Sequence, residues 1–428
     1  MNSRAQTILD YAIVSMIAGM ILSTVSSQKI PSLLFYVLIA ASCLNWYVHY
    51  RKGTSTEGIE LKQHKTLFIL CSVSLIAVLV SKAVHLDMSG TEIEKAVRFS
   101  IGLPLLYAGL RFISYERLKH ALWGVYAAII FQFIYSLYMA GPSFARPYTA
   151  AIHNAVSYGV IVLLLSVICF FSLKVNLSKN NKLELVFKWG IVCLGIVTFI
   201  LLQTRTGVLA LPVIAFLITA VFFYNVPLIK KIVVLLISLV IILGGVLSIP
   251  TMKERFNIAK NEYHTCVDRD FSFDSSICIR MQLYRAAWHI WQEEPLFGTG
   301  DNSVFQHKMK DELQPAGIVS SYTANEFGEP HNDYMQNLSS FGILGVVGIL
   351  FLYLAPGYYF FRRVVSCTKL PQRCVAAMGA ATCLSFSIFS LTELIFRNMR
   401  MVSFYTTLVV LFIVLLNLAC GKRREYTD

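Results

Sequence analysis

Ile232–Val233–Val234–Leu235–Leu236–Ile237–Ser238–Leu239–Val240–Ile241–Ile242–Leu243–Gly244–Gly245–Val246–Leu247–Ser248–Ile249 runs eighteen residues without a charge. An α-helix rises about 1.5 Å per residue, so a run of this length nearly crosses the ~30 Å hydrocarbon core of a bilayer. Eight similar runs precede it: Ile8–Val25, Pro31–Tyr50, Thr66–Val84, Phe99–Ile113, His120–Ala140, Ala150–Leu173, Phe187–Gln203 and Gly207–Tyr224. Three follow: Met335–Phe361, Cys374–Ile395 and Val402–Cys420. The expected fold is an all-α integral membrane protein of about 12 transmembrane helices with one long loop that contains short helices. No alternating strand pattern supports a β-barrel. The first run lacks a small-residue cleavage site and reads as a retained helix, not a signal peptide.

Composition agrees. Of 428 residues, 56% are hydrophobic and 14% charged, whereas a soluble domain carries about a quarter charged residues. The net charge of +13 would point to nucleic acid in a soluble protein. In a membrane protein it reads as basic loops held at the cytoplasmic face, so the expected partner is the lipid bilayer and no nucleic acid.

The loop charges orient the bundle. With the N-terminus inside, the inside loops hold Arg51, Lys52, Lys62 and Lys65; Arg111, Arg117 and Lys119; Lys174, Lys179, Lys182 and Lys188; and Lys230 and Lys231. Arg362, Arg363, Lys369 and Arg373 follow, then the tail Lys422, Arg423 and Arg424. The short outside loops are poorer in base, the turn with Arg397 and Arg400 fitting least well. An even number of spans places both termini in the cytoplasm. The chain then divides into residues 1–249 with nine spans, 250–333 as a long polar connection, and 334–428 with three spans and a cytoplasmic tail.

That connection, about 84 residues from Pro250 to Asp333, is the segment most suited to function. Ser275 and Ser276 precede Ile279, Leu283, Ala286, Ala287, Ile290 and Trp291, an apolar set at helical spacing. The helix should stop at Pro295, before the Gly298–Thr299–Gly300 turn. Trp288 and Trp291 suit a membrane interface or packing on the bundle top, two compatible readings. Cys266 and Cys278 both fall in this segment; outside the cytoplasm they would be a disulfide candidate closing a short loop. The other eight cysteines lie in or beside apolar runs and read as reduced core residues.

Three residues carry the chemistry. His331 lies in Glu329–Pro330–His331–Asn332–Asp333–Tyr334–Met335–Gln336, where the chain re-enters the membrane. A lone His is more often structural, but an imidazole here can accept a proton near neutral pH, with Asn332 and Asp333 available to orient it. Arg205 lies in a tight turn between two apolar spans; either it snorkels to headgroups or its guanidinium binds phosphate in a fork. Arg280 opens the loop helix, and Arg285, five residues on, points elsewhere. Two cations and a base suit transfer from a pyrophosphate-linked donor: the cations stabilise the leaving group and the base deprotonates an acceptor hydroxyl. Gln336, Arg98, Arg146 and His153 are weaker supporting candidates. Glu393, Arg397 and Arg400 cap the last turn and read as interface anchors or pairs within the bundle. No HxxxH, CxxC or carboxylate cluster points to a metal. Neither a Walker loop, a nucleophile elbow nor GxGxxG is present, so no cofactor is expected.

Three motifs resemble the O-antigen ligase family, which is related to the O-antigen polymerases. They are Thr204–Arg205–Thr206–Gly207; Arg280 through Ala286–Ala287–Trp288 to Glu294–Pro295–Leu296–Phe297–Gly298–Thr299–Gly300; and His331–Asn332–Asp333–Tyr334–Met335–Gln336. The resemblance implies a multi-pass glycosyltransferase of the Gram-negative inner membrane with a periplasmic active site. Its donor would be an undecaprenyl-pyrophosphate-linked polysaccharide and its acceptor a sugar of lipid A–core oligosaccharide, with neither metal nor nucleotide sugar. Carried over, His331 would be the base, Arg205 and Arg280 would bind the pyrophosphate, and the reaction would invert the anomeric carbon. O-antigen polymerases and protein O-oligosaccharyltransferases share much of the pattern and the donor class. A transporter of a lipid-linked sugar is a rival of another kind, supported by the polar residues Asn154 and Ser157 in an otherwise apolar span. Against it, the ionisable residues sit at one face rather than at the bilayer midplane.

Overall fold

The computed structural model describes residues 3–53, 57–88, 90–142, 145–268 and 274–421, with the side chains of 3 and 57–63 set aside. The basic tail residues Lys422, Arg423 and Arg424 lie outside the described residues, as does the side chain of Lys62. Every regular element among the described residues is helical. The first group is α1 (Ser3–Ser26), α2 (Ile30–Arg51), α3 (Glu57–Val84), α4 (Thr91–Ser100), α5 (Gly102–Leu110), α6 (Tyr115–Leu118) and α7 (Trp123–Ala140). Next come α8 (Ala155–Ser172), α9 (Asn181–Leu202), α10 (Arg205–Val208), α11 (Leu211–Phe222) and α12 (Leu228–Ser248). The polar connection forms α13 (Pro250–Asp268), α14 (Ser276–Glu293), α15 (Val304–Lys308) and α16 (Ser321–Glu326); α17 (Asp333–Ser366), α18 (Leu370–Phe389) and α19 (Met399–Cys420) close the chain.

Among the described residues, ten helical stretches are long and apolar enough to cross a membrane. This is an all-α integral membrane protein. Two of the twelve predicted regions take other forms. Phe99–Ile113 is divided between α4 and α5, which part at Ile101. Cys374–Ile395 becomes α18, which ends at Phe389. Its small residues, including Ala376, Ala377, Gly379, Ala380 and Ala381, are buried. They let neighbouring helices approach closely, as small residues do inside membranes. The helix packs against α8, α11, α17 and α19. Its first turn also holds Gln372 and Arg373, which make it less apolar than the ten stretches.

The opposite case is α12. None of its residues is buried, and Ile229, Val240 and Ile241 are among its exposed apolar side chains. It packs on α11 and runs on into α13. An apolar helix exposed on nearly every side is stable only if lipid covers it.

One junction positions the site. α17 breaks at Gly342, whose φ is 63°. The Pro295–Gly300 turn fits into that break: Thr299 N donates to Ser339 O at 3.0 Å, Gly300 N to Ser340 O at 2.8 Å, and Ile343 N to Pro295 O at 2.9 Å. These bonds satisfy backbone groups that the broken helix leaves open. Gly298, with φ of 61°, lies against the Gly342 backbone at a distance that admits no Cβ. Ser275 caps α14 by accepting from Cys278 N. Ile279, Leu283, Ala286, Ala287 and Ile290 then bury against Phe305, Met309 and Leu313. The connection thus has a small core of its own. Trp288 remains exposed, and Trp291 donates through Nε1 to Pro295 O at 3.0 Å.

Candidate functional site at the loop end of the bundle

Glu393 joins two of the predicted residues. It follows α18, and its side chain is only 5% exposed. Arg280 Nη2 donates to its Oε1 at 3.0 Å. His331 Nδ1 lies 3.9 Å from its Oε2. The first contact is a charge-assisted hydrogen bond; the second is too long for one but close enough for an ion pair once the ring is protonated. His331 Nδ1 is buried and has no hydrogen-bond partner among the described residues. The ring meets Phe327 edge-on, with centroids 5.7 Å apart. Its backbone φ of 49° is uncommon for a residue with a side chain.

The residues around the ring do other work than expected. Asn332 does not orient it. Its Oδ1 accepts from Tyr334 N at 2.9 Å and Met335 N at 3.1 Å, capping α17, and its Nδ2 donates to Leu391 O at 2.9 Å. Asp333 turns the other way, accepting from Ser390 Oγ at 2.6 Å, Ile395 N at 3.0 Å and Phe396 N at 3.2 Å. Both therefore fix the turn that carries Glu393, and Tyr284 adds a bond from its hydroxyl to Leu391 O at 3.0 Å. Gln336 faces a different region, donating to Asn302 Oδ1 and Ser340 Oγ, each at 2.9 Å. That side holds a cavity of about 80 Å³ lined by Glu92, Lys95, Asn302, Asp333 and Phe396 among others. Glu329 accepts from Arg397 at 2.9 Å. Burial pushes its carboxyl above the usual range, against the pull of Arg397 and His331.

Arg205 is the first residue of α10, after Gln203 in a left-handed turn. Next to it, Thr206 Oγ1 accepts from Thr392 Oγ1 at 3.0 Å, which ties α10 to the Glu393 turn. The Arg205 guanidinium is half-buried and makes no hydrogen bond or ion pair with another described residue, though Arg255, Glu262 and Arg280 lie within electrostatic range. Arg146 donates through Nε to Leu202 O at 3.2 Å. Burial, then the nearby Arg255 and Arg205, lower its pKa. Cys266 and Cys278 are bonded, with Cα atoms 5.4 Å apart, joining the end of α13 to the start of α14.

Three weaker candidates stand apart. Arg98 is a buried pin between helices: it donates to Ser403 Oγ at 2.6 Å, Ser32 Oγ at 3.1 Å and Tyr36 OH at 3.3 Å. His153 is buried and bonded through Nε2 to Thr24 O at 2.9 Å. Burial, helped by Arg400, lowers its pKa. Arg285 lies about 140° round α14 from Arg280. Asn154, one of the two polar residues behind the transport reading, is the N-cap of α8, its Oδ1 accepting from the Ser157 backbone N at 2.7 Å. Among the described residues, no three His, Cys, Asp or Glu side chains group as a metal ion requires.

Two residues were read too lightly or missed. Glu393 sits in Leu391–Thr392–Glu393–Leu394–Ile395, and an acid in so apolar a turn is itself a functional signal. Arg255 belongs to α13, whose less exposed face of Met252, Arg255, Ala259, Glu262 and Cys266 is set by packing against α10 and α14.

Comparison with known proteins finds a family match over part of this chain. Residues 190–350, which hold Arg205, Arg280 and His331, match the family model described as O-Antigen ligase. An uncharacterised protein of Haemophilus influenzae is 22% identical over 388 residues, covering 88% of this chain and 92% of its own. The teichuronic acid biosynthesis protein TuaE of Bacillus subtilis is 24% identical, covering 84% of this chain and 75% of its own.

Proposed function

We propose that this chain, an integral membrane protein carrying an O-antigen ligase family domain, is a glycosyltransferase ligating undecaprenyl-pyrophosphate-linked O-antigen polysaccharide to a sugar of lipid A–core oligosaccharide. The coarser function, of membrane polysaccharide ligase or polymerase type, follows from the family domain. The finer reading is supported above all by one observation: Glu393 stands between the cation Arg280 and the base His331. An acceptor hydroxyl attacks the anomeric carbon while the bond from that carbon to the pyrophosphate oxygen breaks. His331 takes the hydroxyl proton, and Glu393 balances the imidazolium charge that results. The leaving pyrophosphate gains a negative charge, which Arg205 and Arg280 stabilise. One displacement inverts the anomeric carbon. The site then faces the periplasm of a Gram-negative inner membrane, with both termini cytoplasmic, and needs no metal.

Similarity to a teichuronic acid biosynthesis protein favours a second reading, polymerisation on the same class of donor. Reconstitution of the purified chain with a polyprenyl-pyrophosphate glycan and lipid A–core separates them. Glycan on lipid A–core is the expected product. Longer glycan on the carrier identifies a polymerase, and movement of the lipid without a new bond overturns both.

A further inference from the structure

α13 carries charged residues on the face it turns inward. Met252, Arg255, Phe256, Ala259, Glu262 and Cys266 are less exposed than the intervening Lys253, Glu254, Asn257, Ile258, Lys260 and Asn261. They recur every three or four residues, which makes one helical face. The helix packs on α10, which begins with Arg205, and on α14, which carries Arg280. Its disulfide to α14 fixes that juxtaposition. Arg255 Nε is buried and has no hydrogen-bond partner among the described residues, and the same holds for Glu262 Oε2. A snorkelling arginine would turn its polar head to headgroups and water. Arg255 instead turns Nε into the protein.

Arg146 and Arg205 both lie within electrostatic range of Arg255, and Arg205 also within range of Glu262 and Arg280. The neighbourhood thus holds four guanidinium groups, Arg146, Arg205, Arg255 and Arg280, against the carboxylates of Glu262 and Glu393. Two positive charges stand in excess. A pyrophosphate diester has one ionised oxygen on each phosphate, so it fills that excess, while a lipid monophosphate offers only one phosphate to the same groups. We propose that Arg255 is a further guanidinium contact to the donor pyrophosphate, an assignment that rests on the pyrophosphate-donor reading above. Arg205 and Arg280 are held on separate helices. Arg255, on the helix between α12 and the disulfide, adds a further guanidinium beside them.

The test is calorimetric titration of the full chain in detergent with undecaprenyl pyrophosphate and, separately, undecaprenyl monophosphate. Arg255→Ala and Arg255→Gln, the second keeping part of the stem, are each compared with wild type. Both are expected to weaken pyrophosphate binding about tenfold and monophosphate binding less than about threefold. Wild-type affinity for pyrophosphate in Arg255→Gln would overturn the assignment. Equal losses for both lipids would also overturn it, because a packing role does not distinguish the probes. Wild-type protein that binds neither lipid would instead remove the donor reading itself.

Discussion

At the scale of single residues, the centre rests on Glu393. A carboxylate this buried is costly unless its charge is compensated. Here one oxygen meets Arg280 at 3.0 Å and the other faces His331 at 3.9 Å. Removing its charge therefore touches donor binding and proton transfer together. Transfer kinetics should show Glu393→Gln lowering kcat by about 10²-fold, with a raised donor KM. His331→Ala should cut transfer by about 10²–10⁴-fold and leave donor affinity near wild type. Wild-type kcat in Glu393→Gln would show that this carboxylate only braces the fold. His331 and Arg205 stood out in the sequence because each is polar where an apolar chain turns back toward the membrane, and Arg280 because it opens the loop helix. Arg255 was not, because α13 has charged residues on every side and its inward face is defined only by α10 and α14. The orienting role expected of Asn332 and Asp333 failed for a local reason. A side chain at the N-cap and another one residue later bond to backbone in preference to a neighbouring ring.

At the scale of elements, the helices that ended where the sequence indicated have their stop signals within themselves. Ser275 caps α14, and Pro295 follows its end. The break at Ile101 has Gly102 and Pro104 just after it in sequence, whereas the one at Gly342 was not legible from a single glycine. Gly342 is broken by what docks there. Its φ of 63° and the Leu296 backbone beside it leave no space for a side chain. The family-like stretch Pro295–Gly300 thus acts through its backbone, as a plug that holds α17 below His331. Gly342→Ala should cost about 1–3 kcal/mol of stability from the backbone conformation alone, with steric conflict added. Gly244→Ala is the control: it lies within α12 with nothing within 4 Å and should be neutral or slightly stabilising, by up to about 1 kcal/mol. Melting of both variants in detergent checks the contrast. Equal melting temperatures would mean that the plug does not constrain α17.

At the scale of the whole molecule, the site exists only when the bundle is assembled. Its residues come from the start of α10, from α13 and α14, from the segment before α17 and from the turn after α18. Hydropathy located the spans but not their layering. The sheathed α18 and the lipid-facing α12 are neighbours of the same helix, α11, and only packing separates their environments. Sidedness follows from charge alone. The turns near Lys52, Arg117 and Lys179 carry the basic residues, and the helices of the long connection gather at the other end, where Lys82 meets Asp301 and Arg280 meets Glu393. By the positive-inside rule we propose that the basic end is cytoplasmic and that the proposed site at His331 faces the periplasm. Glu312 and Lys52 are both exposed, one at each end. A membrane-impermeant maleimide should label Glu312→Cys in intact spheroplasts and Lys52→Cys only after lysis. The exposed native thiol, Cys193 on α9, lies on a span facing lipid and should stay unlabelled in both. Labels in the reverse order would put the imidazole and the guanidinium groups in the cytoplasm. The acceptor on the outer leaflet would then be out of reach, and the proposed ligation could not occur there.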